Sequence, residues 1–402
     1  MPHLSKLLAT LHILMEPNSF ASAAFSMSPN SPILKLQDWH PPRTPKNACL
    51  ELETACDELG IDTFDVYGDF ASVPEDSYLR RFEDEVAHDF GFDDGVFMPS
   101  GVMAQQIALL IHANAKNTNG DRKKQFVCHH TSHLLLHEAQ GYRELIGMHP
   151  IVASTLDDTK RLKGLHIPPM QMEHITDTFA TLKMKDGGNE MHDIGTLLLE
   201  LPHRELGGKL TPWEDVLQMS DFCHENDIMF HCDGARIFEA AAGYGMNLSS
   251  TAKPFDSMYI SFYKGLGSIS GAMLLGDKVF CEEARIWLRR FGGNLYSVLP
   301  YAALCWSGYR HHLDPSTKIK FSDKKEKLAQ VVNMFNNNDD LSTILTFDPP
   351  VPETSMVHGY LKATVEECEL ANSRVAREHG VSVVDRFKKS DNNVHAQKLG
   401  YG

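Results

Sequence analysis

Four short apolar runs limit the fold of this chain more than any other feature: Thr196–Leu201 (TLLLEL), Ile228–Cys232 (IMFHC), Ser257–Phe262 and Ala272–Leu275. They are too continuously apolar for strands with one wet face, which marks strands covered on both sides. Pro212–Asn226, between the first two, carries helical spacing. Strand, helix, strand in series implies parallel pairing through right-handed crossovers. The expected fold is therefore α/β, a large domain whose mostly parallel sheet is flanked by helices. Upstream, Tyr78–Phe90 reads as an amphipathic helix. Gly95–Pro99 reads as a short strand, and Val102–His112 as a helix opened by Ser100-Gly101.

A length of 402 residues suits two domains. We expect a large domain over 61–307 and a smaller C-terminal α+β domain over 308–402, where charge density rises from Lys318. The polar ending from Lys389 to Gly402 reads as a domain cut short of a final strand and helix. Residues 1–60 read as a partly disordered extension or arm, rich in Ser, Asn and Pro between Pro17 and Pro45. The first arginine is Arg43, which argues against a transit peptide, and the short apolar stretch Leu4–Met15 makes only a thin secretory signal. With 38 basic and 53 acidic side chains the formal charge is −15, which argues against a nucleic-acid partner. No apolar run reaches the roughly 18 residues of a membrane span. Eight scattered cysteines without a CxxC pair read as reduced thiols, so the expected location is the cytoplasm.

In an open parallel sheet, ligands bind beyond the C-terminal ends of the strands. The residues that follow each run are Ser100-Gly101, His203, Asp233 to Arg236, and Lys264 to Gly267. Each has a plain reading and a chemical one. Ser100-Gly101 can cap a helix or open a phosphate site, because unpaired amides at a helix start bind anions. Asp233 can be a turn residue, or a buried carboxylate that holds a protonated ring nitrogen. Arg236 can pair with an acidic neighbour or clamp a substrate carboxylate. Lys264 can be a surface lysine, or an amine of lowered pKa able to form a Schiff base. His129, His133 and His137 would share one face if their segment were helical. A metal site there is the lesser reading, since HLLLHE is not the HExxH order and an imidazole can equally stack on a flat ring.

Five stretches of this sequence, Asp65–Asp69 (DVYGD), Phe97–Gly101 (FMPSG), Ser132-His133 through Glu138-Ala139, His231–Phe238 (HCDGARIF) and Lys264–Gly267 (KGLG), resemble the threonine aldolase/β-eliminating lyase family. That family consists of pyridoxal 5'-phosphate enzymes with an aspartate-aminotransferase-like fold, and the likeness covers roughly residues 60–305. The resemblance implies that Lys264 forms the Schiff base, Asp233 pairs with the pyridine nitrogen and His133 stacks on the ring. It places the cofactor phosphate at Ser100, Gly101 and the amide of Val102, the substrate carboxylate on Arg236, and the β-hydroxyl near His203. No metal is implied. The family is generally dimeric or tetrameric, so a homodimer or homotetramer is expected, with Asp65–Asp69 as the loop that contacts the neighbour. The implied reaction is retro-aldol cleavage of a β-hydroxy-α-amino acid to glycine and an aldehyde. β-Elimination from an amino acid is the first alternative, and a catalytically impaired homologue with a binding or assembly role the second.

Overall fold

The computed structural model describes residues 34–35, 43–63, 77–115, 119–153, 167–186, 189–317, 320–382, 387 and 396–400. Its centre is a seven-stranded sheet built from β1 (Asp94–Met98), β2 (Gln125–His129), β3 (His149–Ala153), β4 (Ile194–Glu200), β5 (Met229–Gly234), β6 (Ser257–Ser261) and β7 (Ala272–Gly276). The spatial order is β1-β7-β6-β5-β4-β2-β3. Neighbours from β6 to β3 pair in parallel, whereas β7 is antiparallel to both β6 and β1. The reversal has a local cause. The connection from Ser261 to Ala272 carries no helix, so the chain has no crossover and turns straight back.

Both faces of the sheet are covered, which is why the strands read as continuous apolar runs. Every residue of β4, β6 and β7 is buried. Helix α1 (Pro45–Leu59) starts inside the stretch expected as an arm and packs on a later helix, Leu299–Leu313. Helix α2 (Tyr78–Phe90) lays Leu79, Phe82, Val86 and Phe90 on the sheet; Ser77 caps its start and left-handed Gly91 ends it. Helix α3 (Gly101–Ala113) covers the opposite face. A chain of hydrogen bonds stitches α3 to three strands. Gln105 Oε1 accepts from His231 Nε2 at 2.8 Å, and His231 Nδ1 accepts from Ser257 Oγ at 2.7 Å. Ser257 Oγ accepts from His112 Nε2 at 3.1 Å, and His112 Nδ1 accepts from Thr196 Oγ1 at 3.2 Å. Burial drives the pKa of both imidazoles down, so each is neutral with one donor and one acceptor, as this chain needs.

A second hydrophobic core lies C-terminal to the sheet. It holds Val332 and Phe335 of a helix over Phe321–Asn336, Leu345 and Phe347 of β8 (Leu345–Asp348), Leu361 of β9 (His358–Lys362), and Val375 of a helix over Val365–His379. β8, β9 and β10 (Ala396–Gly400) form a three-stranded antiparallel sheet. Among the described residues, no helix is long and apolar enough to cross a membrane. All eight cysteines are unpaired and six are buried.

Candidate active site

The C-terminal ends of the parallel strands form one rim. The penultimate residue of β5 is Asp233, a buried carboxylate whose Oδ1 accepts the Ala235 amide at 3.2 Å. Arg236 follows at the N-cap of helix α4 (Ile237–Tyr244) and is buried beside Glu239. Burial lowers the Arg236 pKa and the Glu239 charge opposes that shift. Glu239 is itself pushed up to about 7 by burial.

Lys264 lies three residues beyond β6. Its Nζ is 5.9 Å from the centre of the Tyr259 ring and 5.8 Å from that of Tyr263. Burial lowers its pKa, with Asp233 pulling the other way and Arg236 adding to the fall. An amine in that setting is neutral, hence nucleophilic, over a wider pH range than a surface lysine. The start of α3 meets the same tyrosine. A Cβ on Gly101 would overlap the Tyr259 hydroxyl, so only glycine fits where the helix comes closest. Ser100 is a true cap, accepting the Met103 amide at 3.2 Å. The next amides, Gly101 and Val102, belong to the first turn, which has no intrahelical acceptors. The plain and the chemical readings of Ser100-Gly101 are therefore compatible.

His133 opens a short helix (His133–His137) just after β2. Its Nδ1 donates to Glu138 Oε1 at 3.0 Å, and Glu138 Oε2 accepts from Gln106 Nε2 at 3.0 Å. The Glu138 bond raises its pKa; burial opposes that shift, while Asp233 adds to the rise. The same geometry leaves Nε2 as the ring nitrogen without a partner inside this network. His129 ends β2 instead of sharing that helix, so the three histidines do not line one helical face. Among the described residues no group of three or more His, Cys, Asp or Glu side chains is arranged to hold a metal.

Asp233, Arg236, Lys264 and His133 thus form one electrostatically coupled group, with α3 abutting it through Tyr259. His203 stands apart. Its ring is wholly buried, 5.1 Å from that of His129, and Nε2 accepts the Met170 amide at 3.3 Å with Thr211 Oγ1 at 3.4 Å. Burial, then the neighbouring His130, His174 and Lys209, pushes its pKa down to about 3. Its Nδ1 has no hydrogen-bond partner among the described residues. No hydrogen bond or ion pair joins it to Lys264 in that set. Asp65–Asp69 lies outside the described residues.

Sequence reasoning missed Glu200. It closes β4 directly opposite Asp233 in register. Its two oxygens accept the backbone amides of His133 at 3.2 Å and Arg204 at 3.0 Å. Burial, then the Asp233 charge, pushes it up to about 7. The available signal was a single acidic residue inside TLLLEL, a run otherwise apolar.

A family model described as β-eliminating lyase matches residues 65–382. The chain is 24% identical over 253 residues to low-specificity L-threonine aldolase 1 of Arabidopsis thaliana, covering 63% of this chain and 65% of that protein. It is 28% identical over 232 residues to the low specificity L-threonine aldolase of Escherichia coli K12, covering 58% and 60%. The chain thus spans about two thirds or less of the length of these curated relatives. Among solved structures, a protein from Exiguobacterium sp. 255-15, proposed to be an aromatic amino acid β-eliminating lyase/threonine aldolase, superposes with a TM-score of 0.71 at 30% identity. That match covers 91% of this chain and 89% of the other. A proposed L-allo-threonine aldolase from Listeria monocytogenes EGD-E gives 0.71 at 27% identity, over 99% and 92%.

Proposed function

Because this chain belongs to the β-eliminating lyase family, we propose that it is a pyridoxal-phosphate-dependent aldolase that cleaves β-hydroxy-α-amino acids of the L-threonine type to glycine and an aldehyde. The observation that carries this reading is the charge group around Lys264: a half-buried amine of lowered pKa within the electrostatic reach of a buried carboxylate, an arginine and an imidazole on one strand-end rim. This donor set fits the cofactor. Lys264 and Asp233 would hold the two reactive ends of the ring, His133 its face, and Ser100, Gly101 and Val102 its phosphate. When bound, pyridoxal phosphate supplies a sink for the electron pair left on the substrate Cα.

Residues of the chain do the rest. Asp233 keeps a proton on the pyridine nitrogen. Arg236, dry and positively charged, grips the substrate carboxylate and so fixes which bond at Cα stands ready to break. His203 acts on the β-hydroxyl proton. Its depressed pKa keeps the ring neutral at physiological pH. Because Nε2 accepts the Met170 amide, the neutral ring carries its proton on Nδ1, so taking up the β-hydroxyl proton requires the Met170 bond to open. Once the aldehyde leaves, a proton must return to Cα before glycine departs. Sharing of the site between copies, in a homodimer or homotetramer, is part of the same proposal.

The test is product analysis with added pyridoxal phosphate over L-threonine, L-allo-threonine, phenylserine and serine. Aldehyde and glycine in equal amounts are expected from the first three. Pyruvate and ammonia from serine, with no aldehyde from the others, would replace cleavage by β-elimination. Absence of both product pairs would leave a binding role.

A further inference from the structure

A short hairpin carries His203, and its return strand is anchored outside the large sheet. His203 N–H donates to the Lys209 carbonyl at 2.9 Å, and the Gly208 amide returns to the His203 carbonyl at 3.0 Å. The Lys209 side chain is buried. Its Nζ forms an ion pair with buried Asp348 of β8 at 2.7 Å and donates to the Ile167 carbonyl at 2.8 Å. Around this pair the contact is close. Leu210 N–H donates to Glu353 Oε2 at 2.7 Å, and Thr354 Oγ1 donates to the Gly208 carbonyl at 3.1 Å. Gly207 and Gly208 have φ of +73° and +77°, and a Cβ on Gly207 would overlap the Asp348 carbonyl. The Ile167–Met170 segment held by Lys209 is also the one whose Met170 amide meets His203 Nε2. One ammonium therefore joins three pieces: the hairpin bearing His203, the segment that touches its ring, and the C-terminal sheet.

We propose that Lys209, through its buried pair with Asp348, is a positioning residue for His203, so that the C-terminal unit sets where the imidazole stands in the aldol site. This rests on the reading of His203 given above. The Glu353 and Thr354 bonds hold the hairpin at Leu210 and Gly208, and the ion pair adds the anchor at the residue paired directly with His203. The ion pair fixes its height against β8. A buried ion pair is a costly way to gain stability, since an apolar pair of similar volume often serves as well, so its value here lies in geometry.

The decisive variant is the double replacement Lys209→Met with Asp348→Leu, which removes both charges together and avoids stranding either one. In the holoenzyme it should keep its fold and its pyridoxal phosphate affinity while kcat for aldehyde release falls about 10- to 100-fold, the scale of a misplacement near 1 Å. Asp348→Asn, which keeps an acceptor for Lys209, should fall between that variant and the parent and serves if the double variant does not fold. An activity-independent readout is the nitrogen-15 spectrum of the His203 ring, identified by its loss in His203→Asn. The signal should shift in both variants. A parental kcat or an unmoved His203 signal in the folded variants overturns the proposal. Should His203→Asn in the parent leave kcat unchanged, the catalytic reading of His203 falls instead, a result separate from the shift of the ring signal.

Discussion

At the residue scale the site is a problem of charge in a dry place. In the proposed function cofactor capture turns on Lys264: burial lowers its affinity for a proton, and Asp233 limits how far. Lys264→Ala should abolish the visible band near roughly 420 nm that the parent gains with pyridoxal phosphate and retains through desalting, and aldehyde release with it. A band surviving in the variant would mean that a different amine captures the cofactor. Lys264, Asp233, Arg236 and Ser100-Gly101 were legible in the sequence because each follows an apolar run and their order matches a family pattern. Their plain readings could be weighed but not dismissed. Glu200 and Lys209 were not legible, because what matters about them is a partner distant in sequence. Glu200 reaches the His133 amide 67 positions away, and Lys209 reaches a strand of another sheet. His203 was legible as a rim residue, but its enclosure by His129, Met170 and Thr211 is a tertiary fact.

At the scale of elements, the junction of α3 and β6 bears on the proposed phosphate site. Tyr259 is buried, and its hydroxyl occupies the space that a Gly101 Cβ would need. Gly101→Ala should therefore cost roughly 1–3 kcal/mol of stability, the usual range for overpacking, and should weaken pyridoxal phosphate binding by tilting the first turn. Urea unfolding and a cofactor titration check both; an unaltered midpoint with parental affinity would show that the contact does not fix the helix. Elements with strong local signals were legible nearly to the residue. Tyr78–Phe90 combines helical apolar spacing with Ser and Gly at its ends, and the structure gives that span. β4, β5 and β6 were found because burial on both faces leaves a continuous apolar run. The direction of β7 was harder, since its sequence is the same in either orientation and only the missing crossover helix before Ala272 betrays it.

At the scale of the whole molecule, two sets of buried groups pull stability in opposite directions with pH. Glu83, Glu200 and Glu239 are raised by burial from 4.5 to about 8, 7 and 7. The folded protein keeps protons there that the unfolded chain has shed, so this contribution is full below pH 4.5 and drains away as pH climbs from 4.5 through those values. His112, His203 and His312 are depressed by burial from 6.5 to about 3, 3 and 4. The unfolded chain binds protons there first, so stability drains away as pH falls from 6.5 towards those values. Stability of the cofactor-free protein should be nearly level between about pH 4.5 and about pH 6.5, where the two sets offset, and fall above and below that range, read by urea unfolding from about pH 3.5 to about pH 9. A steady rise to the alkaline end would mean that the three carboxyls are ionised in the folded state. The antiparallel β7 has a further consequence, in the order of synthesis. β1 pairs with β7, which leaves the ribosome nearly 180 residues later. At about 5–20 residues per second, the first strand of the sheet waits roughly 10–40 s for its neighbour. Throughout that interval Val96, Phe97 and Met98 have no sheet to join, and the newborn chain depends on whatever shelters them.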